Sequence, residues 1–469
     1  MNEPKAHQVS PIGLPVVEHW AATSLSLTPD DATILPRGRD VNKDPDPTLD
    51  SPSRHGQLRL DGRAGNARRA EISPRSRVTR VSTSADRRTL SGRVTRSQVS
   101  AEATGDTLTT FVDAFCGAGG LTLGLSEAGW LPTLAFDKWS DAIATHTENL
   151  PGHPALAADI TNSRQVSAAL AKLEDRPDWI VGGPPCQGYS TVGKRIREDE
   201  RNRLFLAYRD LVKFVAPPGF VLENVLGLRD MSFVDAVKSA FTEAGYHVTA
   251  MVLRAADYGV PQLRRRVVFV GHREDRFFAG PRRTHDEHSY VSVDDAIGDL
   301  PPVEPGTEAT RYSLRPTTAF QKDMRRESQV IQGHRAVKHP ERLIEAISHI
   351  PDGGNRLHIP DHLQPTSGFH NSYSRLASWK PAVAVTQNMA KPSGTRCIHP
   401  RQDRGLTTRE GARLQSFPDR FHFSGGAVSQ RLQVANAVPP LLAETLGRAL
   451  EDPARWLSDD PGVSLIPER

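Results

Sequence analysis

The segment GGPPCQGYS, Gly182 to Ser190, places one of the chain's three cysteines behind two prolines at the end of the apolar run Trp179-Ile180-Val181. A lone cysteine is by default a small buried hydrophobe, but these surroundings argue for presentation. The apolar run reads as a short buried strand, and Gly182-Gly183 end it in a tight turn. Pro184 and Pro185 then fix two successive φ angles, so the Cys186 thiol stands on a stiff loop. A free thiol of pKa about 8.5 is only a few per cent thiolate near pH 7, so Cys186 needs a nearby cation or helix N-terminus to act as a nucleophile.

Three further stretches carry groups that could serve such a nucleophile. DAFCGAGGLTLGLSEAGW, Asp113 to Trp130, follows the apolar run Leu108 to Val112 and reads as strand, glycine turn and helix. Gly117, Gly119 and Gly120 would let the backbone approach a ligand, and the helix N-terminus beyond them offers unpaired N–H groups. The spacing is GxGG, with the next glycine at Gly124, and departs from the GxGxxG of dinucleotide sites. Asp137 closes the next apolar run about twenty residues on, where a Rossmann-like fold binds ribose hydroxyls. Asp159 follows Ala155 to Ala158, a short third strand, and could face an adenine amino group; either Asp alone also fits a solvated strand end. FVLENV, Phe220 to Val225, delivers Glu223 and Asn224 at the carboxyl end of a strand, where open α/β sheets bind ligands; Glu223 could instead cap the next helix. In VPQLRRRVVFVG, Val260 to Gly271, alternation puts Arg264 and Arg266 on one face ahead of an apolar strand.

Together these stretches resemble the cytosine C5-specific DNA methyltransferases, over roughly Thr107 to Arg448. DAFCGAGG is similar to the family's cofactor turn, GGPPCQGYS to its catalytic loop, ENV to its acid motif and PQLRRR to its QxRxR motif. LTTREGARLQSFPD, Leu406 to Asp419, and QVANAVPP, Gln433 to Pro440, resemble the two motifs that follow the recognition region, with Ala435 standing where the family usually has Gly. The resemblance implies a Rossmann-like α/β fold, a mostly parallel mixed sheet with helices on both faces, and an inserted smaller target-recognition domain. It implies Cys186 as the nucleophile on cytosine C6 and Glu223, protonated or sharing a proton with N3, as neutraliser of charge on the ring. Arg266 would contact the base O2, and Arg264 would lie near the thiolate or a flanking phosphate. Keeping a carboxyl protonated near pH 7 requires desolvation or a partner, at about 1.4 kcal/mol per unit of pKa. Phe115, Gly117, Gly119, Gly120, Asp137, Asp159, Ile160, Pro185, Leu204, Asn436 and Val438 are expected to bind S-adenosyl-L-methionine, and no metal site is expected.

The elements that position these residues divide the chain into an N-terminal extension (1–106), a catalytic domain (107–272), a target-recognition domain (273–379), a return to the catalytic domain (380–450) and a tail (451–469). The recognition stretch is rich in Arg, His, Pro and Gly with weak periodicity, and short strands and loops are expected there. Thr407 followed by Glu410 is a capping-box pattern opening a helix that need do no more than carry the junction between domains. A terminal helix over Pro440 to Leu450 is expected to pack on the sheet.

At 469 residues, with 36 Gly and 36 Pro, the chain exceeds one average domain and is loop-rich. The extension is rich in Pro, Ser, Arg, Asp and Thr and reads as mostly disordered. Residues 51–100 hold 12 Arg against 3 acids, a local charge of +9 where the whole chain carries +4. Such an arm could hold DNA phosphates, or be a dispensable leader. No signal peptide or membrane-length apolar run occurs, and three cysteines without a CxxC pair favour a reducing cytoplasm without zinc. The expected partner is double-stranded DNA, with a cognate restriction endonuclease on the same site and action as a monomer at the nucleoid. A nicotinamide oxidoreductase would demand GxGxxG and leaves PPCQ without a task. A transfer-RNA methyltransferase would share every catalytic motif but calls for Cys-Phe-Thr where Cys397 is followed by Ile398 and His399. An inactive DNA-binding relative conflicts with the intact Cys186, Glu223 and Arg266.

Overall fold

The computed structural model describes residues 108–185, 204–225, 231–366, 372–394 and 396–462; Cys186 and the 1–106 extension lie outside the described residues. The first half alternates strand and helix: β1 (Thr110–Ala114), α1 (Gly120–Glu127), β2 (Leu131–Asp137), α2 (Ser140–Asn149), β3 (Ala155–Ala157), α3 (Ser163–Leu170), β4 (Trp179–Gly182), α4 (Leu204–Val215), β5 (Gly219–Val225), α5 (Met231–Thr242), β6 (His247–Arg254) and β7 (Arg265–His272). Apolar strands spaced by amphipathic helices make parallel crossovers the natural connection. The sheet order is β3-β2-β1-β4-β5-β7-β6, with β1 to β5 parallel and β7 antiparallel to both its neighbours. This is the mixed, mostly parallel sheet expected from the sequence.

Both faces of the sheet are covered. On one, Tyr208, Phe220, Phe241 and Tyr246 pack with Val112, Ile180 and Leu222; on the other, Phe111, Trp130, Trp179 and Val221 meet Leu442, Leu446 and Leu450. Each fully buried large apolar side chain of this kind contributes about 1.5–3 kcal/mol. Tyr208 also ties β4 to β5, its hydroxyl lying 2.9 Å from Ile180 O and 2.8 Å from Val221 O.

After β7 the two-residue β8 (Phe277–Phe278) pairs with β9 (Trp456–Leu457) near the end of the chain. The stretch expected to form short strands and loops instead forms short helices, α6 (Val293–Ile297), α7 (Ala319–Met324) and α8 (Glu341–Ser348), with isolated bridges such as Glu308 to Arg335. The reason is local: Ser292 with Asp295 and Thr318 with Gln321 each complete a capping box, which nucleates a turn too short to show periodicity. The chain then returns through α9 (Thr408–Leu414), α10 (Ala427–Asn436) and α11 (Pro440–Glu451). α11 packs on α1 at Gly124, where a Cβ would stand 2.3 Å from Pro440 O, so a side chain there would part the helices. No described helix is long and apolar enough to cross a membrane.

Candidate active site

The strand order reverses between β1 and β4, and an open sheet leaves a crevice outside its strand ends at such a point. A cavity of about 520 Å³ occupies it, lined from the carboxyl ends of β1 to β5 and from the amino end of antiparallel β7. Of the residues predicted from sequence, Phe115, Gly117, Gly120, Asp137, Asp159, Ile160, Pro185, Leu204, Glu223, Arg264, Arg266, Asn436 and Val438 all line it. Gly119 does not. It is the left-handed N-cap of α1 (φ 98°), and a Cβ there would stand 2.9 Å from the ring of His146.

One end of the cavity is the glycine turn. Phe115 itself takes a left-handed φ of 67°, held by its N–H on Phe136 O at 3.0 Å. Such a φ is strained for a bulky residue and is found mostly where function requires it. Gly117 (φ +52°) has nothing within 4 Å of where a Cβ would sit, so it leaves room for a ligand. Gly120 serves protein packing instead: a Cβ there would lie 2.3 Å from Val438 O. Both Asp137 oxygens accept backbone N–H groups, Oδ2 from Gly117 at 3.0 Å and Oδ1 from Trp139 at 2.9 Å. Burial raises its pKa against those bonds. At Asp159, burial also pushes upward, but Oδ1 accepts the N–H and hydroxyl of Thr161, and these bonds bring the net shift below the usual carboxylate value. Sequence reasoning missed Lys138, Trp139 and Leu432, which also line this end. The one available signal was an aromatic residue two positions after the acidic strand end.

The other end carries the acid and the arginines. Glu223 leaves β5 with 9 % of its surface exposed, and its Oε1 lies 2.6 Å from Arg266 Nε. The contact pairs opposite charges at hydrogen-bonding distance. The pairing follows from register: Arg266 stands opposite Val225, diagonal to Glu223 on the same face. Asn224 Nδ2 donates to Pro184 O at 3.1 Å and holds the start of the loop that leads to Cys186. At Gly183 a Cβ would come within 2.8 Å of Glu223 Oε2, so the glycine lets the loop pass over the carboxyl.

Arg264, expected near a thiolate or phosphate, is directed onto the protein's own backbone. Its NH2 donates to Ala435 O at 2.7 Å and its NH1 lies 3.5 Å from Val385 O, while Nε is buried without a partner. Burial, then the charge of Arg266, pull its pKa well down. Ala435 lies inside helix α10 at ordinary helical φ, so a methyl group is accommodated where the family usually has Gly. The α9 capping box is present, with Thr407 N donating to Glu410 Oε2 at 2.8 Å. All of the helix's residues are buried, and Arg404 makes a two-pronged contact with Glu410 at 2.9 and 2.7 Å.

The family model for C-5 cytosine-specific DNA methylases matches residues 109–452. The chain is 38% identical over 347 residues to the Type II methyltransferase M1.HphI of Haemophilus parahaemolyticus, covering 73% of this chain and 86% of that relative. It is 36% identical over 369 residues to the Type II methyltransferase M.DdeI of Desulfomicrobium norvegicum, covering 72% and 88%. The crystal structure of a prophage-encoded E. coli protein assigned as a DNA modification methyltransferase superposes with a TM-score of 0.59 at 25% identity, over 73% of this chain and 98% of that one. With a family model spanning the whole sheet and these relatives matched over most of their length, the chain belongs to the C-5 cytosine-specific DNA methylase family and is a DNA cytosine-5-methyltransferase.

Proposed function

We propose that this enzyme methylates C5 of a cytosine flipped out of a specific duplex DNA sequence, through a covalent bond between Cys186 Sγ and C6, with S-adenosyl-L-methionine as methyl donor. The observation that carries this reading is the single cavity shared by the glycine turn and the Glu223–Arg266 pair, with Pro184 and Pro185 leading from its wall toward Cys186.

The cavity suits the donor. Phe115 and Trp139 supply aromatic surface, Asp137 and Asp159 supply acceptors for hydroxyl and amino groups, and Gly117 leaves an open cradle. When bound, S-adenosyl-L-methionine would supply an electrophilic methyl group on a sulfonium. Cytosine C5 is too weak a nucleophile to react unaided. Cys186 Sγ bonds to C6 and the C5=C6 electron pair moves to C5, while Glu223 shares a proton with N3 and Arg266 donates to O2. With that electron pair now holding the transferred methyl group on C5, loss of the C5 proton to a base restores the C5=C6 double bond as the C6–S bond breaks and Cys186 leaves as thiolate. Arg266 is already buried against Glu223, so the cation and the carboxyl meet the ring as a preformed pair. A stacked base cannot be reached on both faces, so flipping, at a few kcal/mol of unstacking, is part of the reading.

In this reading residues 273–379 recognise the target and 107–272 with 380–450 form the catalytic domain. The enzyme acts as a monomer, and the Type II relatives support a partner endonuclease on the same site. The test is transfer of labelled methyl to mixed-sequence DNA and to transfer RNA, followed by bisulfite sequencing. Label on DNA at one recurring cytosine context is the expected result; label on RNA alone would contradict it.

A further inference from the structure

Gln262 and Gln415 are both fully buried, and their side-chain amides meet at 3.0 Å across 153 residues of chain. Gln262 Oε1 accepts Val385 N–H at 2.8 Å, and its Nε2 also donates to Leu414 O at 3.0 Å. Gln415 Nε2 donates to Val434 O at 2.7 Å and lies 3.4 Å from Ala437 O. Arg264, two residues further along, repeats the pattern between Val385 O and Ala435 O. The backbone adds a reciprocal pair, Leu263 N on Ala382 O at 2.8 Å and Ala382 N on Pro261 O at 3.0 Å.

Four segments therefore share one hydrogen-bonded hub: the lead-in to β7 that carries Arg266, the 382–385 stretch returning from residues 273–379, the end of α9, and the end of α10. The last of these supplies Ala435, Asn436, Ala437 and Val438 to the cavity wall. A buried amide satisfied at both ends fixes relative position sharply, because any displacement leaves a desolvated donor or acceptor unpaired, at about 1–3 kcal/mol each.

We propose that Gln415, with Gln262, is a positioning residue that couples the cofactor wall at the end of α10 to the arginines of the base end and to the stretch returning from the recognition region. Binding at either end then tightens binding at the other through this hub. The proposal rests on the reading of the cavity as the S-adenosyl-L-methionine site.

The test compares wild type with Gln415→Met, which keeps the volume and removes the amide, and with Thr407→Ala, which loosens the same helix without touching the hub. S-adenosylhomocysteine binding is measured with and without a duplex carrying the cytosine context found by sequencing. In wild type and Thr407→Ala the duplex tightens binding about tenfold, and in Gln415→Met less than about twofold. Equal tightening in all three, or equal loss in Thr407→Ala and Gln415→Met, overturns the coupling while leaving methylation itself standing. In wild type alone, S-adenosylhomocysteine slows hydrogen exchange at Ala382 and Val385, a readout that needs no variant; unchanged exchange on saturation overturns the proposal. Absence of any S-adenosylhomocysteine binding would overturn the cavity assignment and the coupling together.

Discussion

Asp113, one residue before the end of β1, has no exposed surface; its Oδ2 accepts the Thr122 hydroxyl at 2.6 Å and its Oδ1 accepts nothing. Burial, offset in part by Thr122 and reinforced by Asp137, raises its pKa to about 7. A carboxyl raised on folding stabilises the protein below its unfolded value near 4, and that contribution is lost as pH climbs through 7. Asp113→Asn keeps the acceptor for Thr122 and removes the titration. Wild-type stability relative to this variant should therefore fall by up to roughly 1.4 kcal/mol per pH unit between pH 4 and 7 and level off above; urea titrations across that range check it, and a flat difference would show that Asp113 does not titrate there. The residues read most directly from sequence flank apolar runs: Asp137, Asp159 and Glu223 close runs whose parallel strands present their carboxyl ends to a ligand, and Arg266 opens the antiparallel β7, whose amino end lies at the same edge. Asp113 also follows an apolar run, but its complete burial was not legible there, because it depends on the packing of α1, which brings Thr122 onto its Oδ2.

The elements of the C-terminal half are held by charges that pair across long sequence separations. Arg413 in α9 lies fully buried between Asp299 and Asp419, donating to Asp419 through Nε at 2.9 Å and NH2 at 2.6 Å, and to Ala296 O at 2.9 Å. Tyr312 adds its hydroxyl to Asp419 at 2.6 Å. Arg413→Met would leave Asp299 with Arg325 at 3.2 Å and Asp419 with Arg409 at 3.7 Å and Tyr312, short of their strongest partner, and should cost about 3 kcal/mol, the low end for a broken buried pair. Thr407→Ala, which removes the cap of the same helix and the 3.0 Å contact of its hydroxyl with the buried His334 Nδ1, should cost about 1–2 kcal/mol. Chemical unfolding of both variants measures the difference, and equal costs would mean that the ion cluster contributes no more than the cap. The cap was legible because its two residues are three apart. The Arg413–Asp299 partnership, 114 residues apart, has no local signature, and neither has the Gln262–Gln415 contact. The short helices of 293–348 escaped for another reason, since one or two turns are too brief to show a 3.6-residue period.

For the whole molecule, the family match begins at residue 109, so residues 1–106 precede the catalytic machinery. With 12 Arg against 3 acids in residues 51–100, the extension is proposed to act on DNA through phosphate charge alone. A chain lacking 1–100 should keep methyl transfer and its cytosine context while the slope of log Kd against log salt becomes shallower, by about 0.9 for each phosphate that the extension neutralises. An unchanged slope would assign the extension no part in DNA binding. The fold as a whole follows from the order of strands and glycine turns in the sequence, and the cavity from where that order reverses. The most direct test of the chemistry uses duplex DNA with fluorine at C5 of the target cytosine, where after methyl transfer no proton is left at C5 to release and the C6–S bond persists. The account predicts a denaturation-resistant protein–DNA adduct that maps to Cys186, requires S-adenosyl-L-methionine and is absent from Cys186→Ala; an adduct formed equally by Cys186→Ala, or none from wild-type enzyme that methylates the unfluorinated duplex, would contradict it.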